Sequence, residues 1–321
     1  MGDTRDFSRL CAQVTSSPKG RHAGDIVMAA FDEIVIIYNP NSTGDGQSNA
    51  EKLRDDIAKI DAAVPVTLRG TEHAGHAEEM AHEYAKSDAR FALISSSGDG
   101  GYHELINGVI DSSATNITVG LLPSGNANDH YNAVAHESDI VENYISGDSR
   151  MIDVLKVSGS VDGKPWVRYA HSYAGIGLSP TIGKQLTKSN LNIFNEKWLV
   201  AKYLFTYTHA TVRIDGIKKR FSSLVFSNID QMSKVLKLSQ SSQIDDGKFE
   251  ISAITYRTKF HVLWMLLKSA TVGLEERGSF EIYSFQTTKR LLIQLDGEVY
   301  TLDADSDVTV ECIPRSLRTL L

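Results

Sequence analysis

The sequence predicts an α/β protein in two parts: an N-terminal doubly wound, mostly parallel sheet domain, then a C-terminal domain rich in antiparallel β-sheet, read as a β-sandwich. Three observations carry this. From Glu33 to about Gly147, short apolar runs alternate with stretches of helical spacing, the pattern of a parallel sheet covered on both faces. Beyond Gly147 the texture changes to strand-like runs separated by turn signals. The length of 321 residues suits two domains of roughly 100 to 200 residues each.

Residues 1–30 include "SSPKGRHAGD", show no clear periodicity and read as a poorly ordered or loosely docked extension. "EIVIIYNP" is an apolar strand stopped by Asn-Pro, and "SNAEKLRDDIAKI" has helical spacing at Ala50, Leu53, Ile57 and Ile60. "VPVTLRG" then reads as a strand, "HAGHAEEMAHEYAKS" as a helix and "RFALISSSG" as a strand. A helix from about Gly100 to Ile110, the strand "NITVGLLP" and helix through "SDIVENYIS" complete the first part. The division falls near Ser149 to Met151, giving 31–149 and 150–321, with the closing residues as candidates to return to the first domain. In the second part "MIDVLKVSG", "PWVRYAHSYAG", "HATVRIDG", "KKRFSSLVFSN", "GKFEISAITY", "GSFEIYSFQTT", "RLLIQLDG" and "EVYTLDAD" read as strands, interrupted by helical candidates at 195–208 and 259–270.

Composition narrows the function. Apolar residues make up 41% and charged residues 23%, near the soluble globular average. A formal charge of -7 leaves no global positive field for a nucleic-acid backbone, which excludes nucleic acid as the main partner. The strongest apolar window, "FHVLWMLL" at 260–267, falls far short of the ~20 residues needed to span a bilayer. Residues 1–30 hold no apolar core of a secretory signal, so a cytoplasmic location is expected. Cys11 and Cys312 lie at opposite ends without His/Cys ligand spacing and read as two reduced thiols.

Three loops concentrate the chemistry. "SSSGDGG", ending at Gly101, follows a strand and opens a helix, where backbone N–H groups and the helix dipole favour an anion. Gly98, Gly100 and Gly101 let a phosphate approach without a Cβ in the way. The alternative is a strand-to-helix turn with Asp99 as N-cap. "NPNSTGDGQS" (39–48) and "LLPSGNANDH" (121–130) also follow strands, and the C-terminal ends of parallel strands share the edge where ligands bind. Neither a Walker A sequence nor G-x-G-x-x-G at the first strand–helix junction is present, which leaves a nucleotide site built from backbone and short polar side chains.

These segments resemble the diacylglycerol kinase catalytic-domain family, which includes sphingosine kinases and bacterial soluble lipid kinases and is distantly related to NAD kinase. Its G-G-D-G-T-x-x-E-x-x-N-G-L string is similar to Ser97, Gly98, Asp99, Gly100 and Gly101, then Glu104, Asn107, Gly108 and Val109, with the "SGDG…HE…NG" variant like that of sphingosine kinases. N-P-x-S-G resembles Asn39 to Thr43, and L-P-x-G-T-G-N-D resembles Leu122 to Asp129. "HSYAGIGLSP" (171–180), "IDDGKFEI" (244–251) and "LDGE" (295–298) resemble second-domain landmarks in the family's order. The resemblance runs from about residue 33 to the C-terminus. Departures are Gly101 for the family threonine, Asp45 or Gln47 where a basic residue is usual, and Ala127 for a glycine.

The resemblance implies an ATP-dependent lipid kinase that passes the γ-phosphoryl group to diacylglycerol, a sphingoid base or a related lipid alcohol, with Mg²⁺. It implies nucleotide binding by Asn39, Ser42, Thr43, Ser97, Gly98, Gly100, Gly101, Glu104, Gly125, Asn126, Asn128 and Asp129. Asp99 is the candidate carboxylate nearest the Mg·ATP phosphates, its alternative being the N-cap. Glu104 is either catalytic support or a surface Glu favoured by the dipole. From pattern alone "QLDGEVY" is a hairpin turn. The family places its proposed base in this string, which makes Glu298 the first choice and Asp296 the second. "IDGIKK" at 214–219 reads only as a turn. Asp245 and Asp246 either bind a structural Mg²⁺ or shape a loop. The lipid acceptor implies a membrane surface, peripheral to its inner face. Helix 259–270, with Phe260, Leu263, Trp264 and Leu267 between Lys259 and Lys268, is either an interfacial stripe or core. A homodimer fits the family. Two other readings stay open: a kinase for a soluble acceptor such as NAD or a polyol, and a non-catalytic nucleotide- or lipid-binding regulator of the same fold.

Overall fold

The structure, a computed structural model, describes residues 30–42, 44–125, 128–134, 140–178, 180, 209–232, 236–237, 242–256, 258 and 276–320. The extension at 1–29 and the helical candidates at 195–208 and 259–270 lie outside the described residues. In chain order the first part runs β1 (Glu33–Tyr38), α1 (Gly46–Ile60), β2 (Val66–Gly70), α2 (His76–Tyr84), β3 (Phe91–Ser97), α3 (Asp99–Asp111), β4 (Ile117–Pro123), α4 (Asp129–Val134) and α5 (Ile140–Ser146). Then follow β5 (Ser149–Val161), β6 (Lys164–Ala170), β7 (Tyr173–Gly177), β8 (Ala210–Ile214), β9 (Ile217–Ser227), β10 (Gln231–Met232), β11 (Leu236–Lys237), β12 (Phe249–Thr255), β13 (Glu276–Phe280), β14 (Ile282–Thr287), β15 (Leu291–Leu295), β16 (Glu298–Leu302) and β17 (Asp307–Leu320).

β2, β1, β3 and β4 pair in parallel in that order. Alternation along each strand shows why their sequences read as unbroken apolar runs. Ile34 and Ile36 of β1 face Leu53 and Ile57 of α1 together with Val141 and Tyr144 of α5. Val35 and Ile37 face the other way, toward Met80 of α2 and Tyr102, Leu105 and Ile106 of α3. β1, β3 and β4 are thus buried on both sides, as a doubly wound sheet requires, while the edge strand β2 is half-buried.

The second part is antiparallel, with β15–β16, β7–β15, β7–β9, β8–β9 and β9–β12 among its pairs. Its strands enclose their own core, built around Ile176, Leu224, Phe226, Phe249, Ile293 and Val310. The Asp215–Gly216 and Asp296–Gly297 turns have positive φ at both positions, the requirement of a tight two-residue hairpin. β17 joins the parts. It pairs antiparallel with β5 and β14, and its end pairs in parallel with β4 at Thr319 and Val119. One sheet therefore runs from β2 through β17 to β16. Cys312 on β17 is a buried free thiol, pushed up to about 12 by burial.

Candidate functional site

The loops after β1, β2 and β3 open on one edge, around a cavity of about 300 Å³. Asn39, Asn41, Thr71, Glu72, His73, Ser95, Ser97, Gly100, Gly101 and Glu104 line it from the first part, and Glu298 from the second. Hydroxyl and backbone contacts hold the loops together. Ser42 Oγ donates to Ser124 O at 2.6 Å, Ser96 Oγ to Gly46 O at 2.7 Å, and Asn49 Nδ2 to Ser124 Oγ at 2.9 Å. A Cβ on Gly98 would lie 3.2 Å from Gly125 Cα, so these two glycines let the loops after β3 and β4 meet backbone to backbone.

Gly101 has its own explanation. A Cβ there would lie 2.8 Å from Ser97 Cβ, and Ser97 Oγ would be closer still. The Ser97 hydroxyl, bonded to Ser95 Oγ at 2.7 Å, takes the space a threonine at 101 would need. A hydroxyl remains at this edge, moved from the helix to the strand end.

Of the residues named from sequence, Asn39, Ser97, Gly100, Gly101, Glu104 and Glu298 come together on the cavity. Ser42, Gly98, Gly125, Asn128 and Asp129 form the seam between loops instead of the lining; Asn128 Oδ1 accepts the Gly125 N–H at 2.9 Å and its Nδ2 donates to Gly125 O at 2.9 Å. Thr43, Asn126 and Ala127 lie outside the described residues.

Two of the candidate catalytic carboxylates lie off the cavity. Asp99 caps neither its own helix nor the cavity: its carboxylate accepts the N–H groups of Asp129 at 3.1 Å and His130 at 3.2 Å, at the start of α4. Burial raises its pKa, opposed by His171 and those two amides. Asp296 is wholly buried and is not part of the cavity lining. It accepts the N–H groups of His171, Ser172 and Tyr173 at 2.8, 3.0 and 3.0 Å, and His103 Nδ1 lies 3.1 Å away. Burial pushes this carboxyl up, but His171, His103 and the amides outweigh burial and hold it down at about 2. Asp245 pairs with Arg150, Nε at 3.0 Å, and Asp246 accepts the Lys248 N–H at 3.0 Å, so both are engaged in shaping the 244–248 loop, the alternative to a Mg²⁺ site.

Glu298, two residues after Asp296, is exposed at the cavity, and its Oε1 lies 2.8 Å from where a Cβ on Gly100 would be. Opposite it, Glu104 accepts the Gly75 N–H at 2.8 Å; burial raises its pKa, with Glu298 adding to the rise. The lining holds three carboxylates, Glu72, Glu104 and Glu298, and no Lys or Arg among the described residues. Sequence reasoning missed the β2–α2 loop, Thr71 to Ala74. The available signal was its place after a parallel strand at the same sheet edge.

The fold and site define a two-part α/β protein. The glycine-rich edge of a parallel sheet faces a carboxylate from an antiparallel part. Residues 33–157 match the diacylglycerol kinase catalytic domain. Three solved structures from Bacillus anthracis str. Sterne share the fold. Two, provisionally named as a diacylglycerol kinase, each have a TM-score of 0.66 at 18% identity, covering 90% of this chain and 97% of theirs. A third, named a diacylglycerol kinase, has a TM-score of 0.62 at 16% identity over the same shares. No curated protein matches the chain. The matched domain is a kinase catalytic domain, whose chemistry is phosphoryl transfer. No helix among the described residues is long and apolar enough to cross a membrane.

Proposed function

We propose that this protein transfers the γ-phosphoryl group of ATP to the hydroxyl of a lipid alcohol, diacylglycerol or sphingoid-base-like, met at a membrane surface. The placement of Glu298 against the N-terminal turn of α3 carries the reading. It sets a carboxylate free to take a proton beside the helix end suited to an anion. The lipid acceptor rests on the family.

The residues suit a nucleotide that enters with a cation. Gly100 and Gly101 leave the α3 terminus bare, and Ser95 and Ser97 offer hydroxyls. With three carboxylates and no Lys or Arg in the described lining, a polyphosphate needs a hard cation to offset charge, and Glu72 and Glu104 are the oxygen donors that would hold it. A divalent metal bound there would supply electrostatic stabilisation of the transferring group. The chain itself binds phosphate oxygens through backbone N–H groups and the two serine hydroxyls. Glu298 then accepts the acceptor's hydroxyl proton as its oxygen bonds to the γ-phosphorus. The bond from that phosphorus to the bridging oxygen breaks and ADP leaves.

The test is transfer of labelled γ-phosphate from ATP with Mg²⁺ to detergent-dispersed lipids, with NAD and polyols in parallel, for wild type and Glu298→Gln. Labelled lipid lost in the variant supports the proposal. Label on a soluble acceptor alone removes the lipid. ATP binding with no transfer to any acceptor points to the regulator.

A further inference from the structure

α3 and β16 touch at two rungs. At the first, Glu298 rests against Gly100. At the second, His103 Nε2 lies 3.1 Å from the Tyr300 hydroxyl. Residues i and i+2 of a strand share a face, so both rungs fall on the same side of β16. His103 also reaches Asp296, the turn residue that precedes Glu298, with Nδ1 3.1 Å from its carboxylate.

The directions of these bonds are determined. Ionised Asp296 only accepts, so His103 Nδ1 carries the hydrogen, and in that tautomer Nε2 accepts from the Tyr300 O–H. Burial pushes the Tyr300 phenol up to about 12, so it stays protonated and remains a donor. His103 is 2% exposed and Asp296 is fully buried, which keeps water from substituting for the bond between them. One helical turn further, Asn107 Oδ1 accepts the Tyr169 N–H at 2.9 Å and its Nδ2 donates to Tyr169 O at 2.9 Å, so the same face of α3 stays docked on the second part.

From this we infer that His103 and Tyr300 are positioning residues: the Asp296–His103–Tyr300 chain holds β16 against α3 and so fixes the Glu298 carboxylate over the N-terminal turn that binds phosphate. Glu298 is held through the backbone of its strand, and the chain anchors that strand on each side of it, at residues 296 and 300. The inference rests on the proposed function only in calling Glu298 the base; the placement of Glu298 stands apart from it.

The test uses Tyr300→Phe, His103→Leu and His103→Gln, with kinetics on the acceptor found active and a crystal structure of Tyr300→Phe. Loss of near-attack geometry is expected to lower kcat about tenfold or more in Tyr300→Phe and His103→Leu, with KM for ATP within about twofold. The double variant Tyr300→Phe/His103→Leu should be no worse than the poorer single variant, because both break one chain. His103→Gln, which can donate to Asp296 and accept from Tyr300, should recover most of the rate. In the crystal structure of Tyr300→Phe, Glu298 should leave its place over Gly100 while the α3 loop stays put. An unchanged kcat, additive losses, or Glu298 in place in Tyr300→Phe would overturn the inference. If wild type phosphorylates nothing, the functional reading fails, and the position of Glu298 in Tyr300→Phe still decides the link.

Discussion

Glu298 Oε1 lies so close to Gly100 that a Cβ there would be 2.8 Å away, and this contact joins the glycine loop after β3 to the hairpin between β15 and β16. The contacting atom is the end of a flexible side chain, so Gly100→Ala displaces the carboxylate without displacing backbone. Alanine is also the better helix former, by roughly 0.5–1 kcal/mol. The variant should keep or slightly raise its melting midpoint while phosphoryl transfer falls at least about tenfold. Calorimetry beside the labelled-phosphate assay checks both; a drop in midpoint would contradict the placement.

Gly101→Thr should be costly for a different reason. Its Cβ would meet Ser97 Cβ at 2.8 Å inside a packed strand end, and such overpacking costs about 1–3 kcal/mol. Adding Ser97→Gly empties that space and should restore more than half of the loss. Urea unfolding of both singles and the double gives the coupling directly, and additive losses would show that the two positions do not compete for space.

The two D-G-E carboxylates should separate cleanly. Asp296→Asn places an amide NH₂ among the backbone N–H donors of residues 171–173 and removes a buried charge from its partners. A loss of about 3–5 kcal/mol is expected. Glu298→Gln, at an exposed position, should leave the unfolding midpoint unchanged and abolish transfer. Denaturant titration of each variant distinguishes anchor from base.

Acid should weaken the protein through its buried histidines. His130 and His171 are both lowered from the ordinary 6.5, each chiefly by burial, and His130 Nε2 is buried without a hydrogen-bond partner among the described residues. Between those lowered values and 6.5 the unfolded chain binds protons that the folded chain refuses, so stability rises with pH through this window and levels off above it. The slope is at most about 1.4 kcal/mol per pH unit per histidine. The upward-shifted Asp99 and Glu104 act in the opposite sense, so the informative quantity is the difference between wild type and His130→Leu. Guanidinium unfolding from pH 5.5 to 7.5 should show a shallower slope in the variant.

Much of the fold is legible in the residues themselves. Apolar runs such as "EIVIIY" have residues for both faces, and the structure places Ile34 and Ile36 on one side and Val35 and Ile37 on the other. The site edge is legible for the same reason, since parallel strands deliver their loops to one end. The β2–α2 loop escaped notice because Thr71 to Ala74 carry no glycine cluster; topology, not composition, places them on the cavity.

Local chemistry ended there. The sequence by itself determined where strands, helices and Asp-Gly turns form, because periodicity and the left-handed turn conformation are properties of a few neighbouring residues. Which carboxylate of the Asp296–Glu298 pair stays free was decided only in the folded chain. The amides of residues 171–173 and the His103 imidazole, more than a hundred residues away along the chain, converge on Asp296 and offset the cost of burying its charge. Glu298, one strand step further, meets no such donors among the described residues and faces the cavity. Ser97 and Gly101 make the same point at closer range: their side-chain volumes trade against each other only once the strand end and the first turn of α3 are packed together.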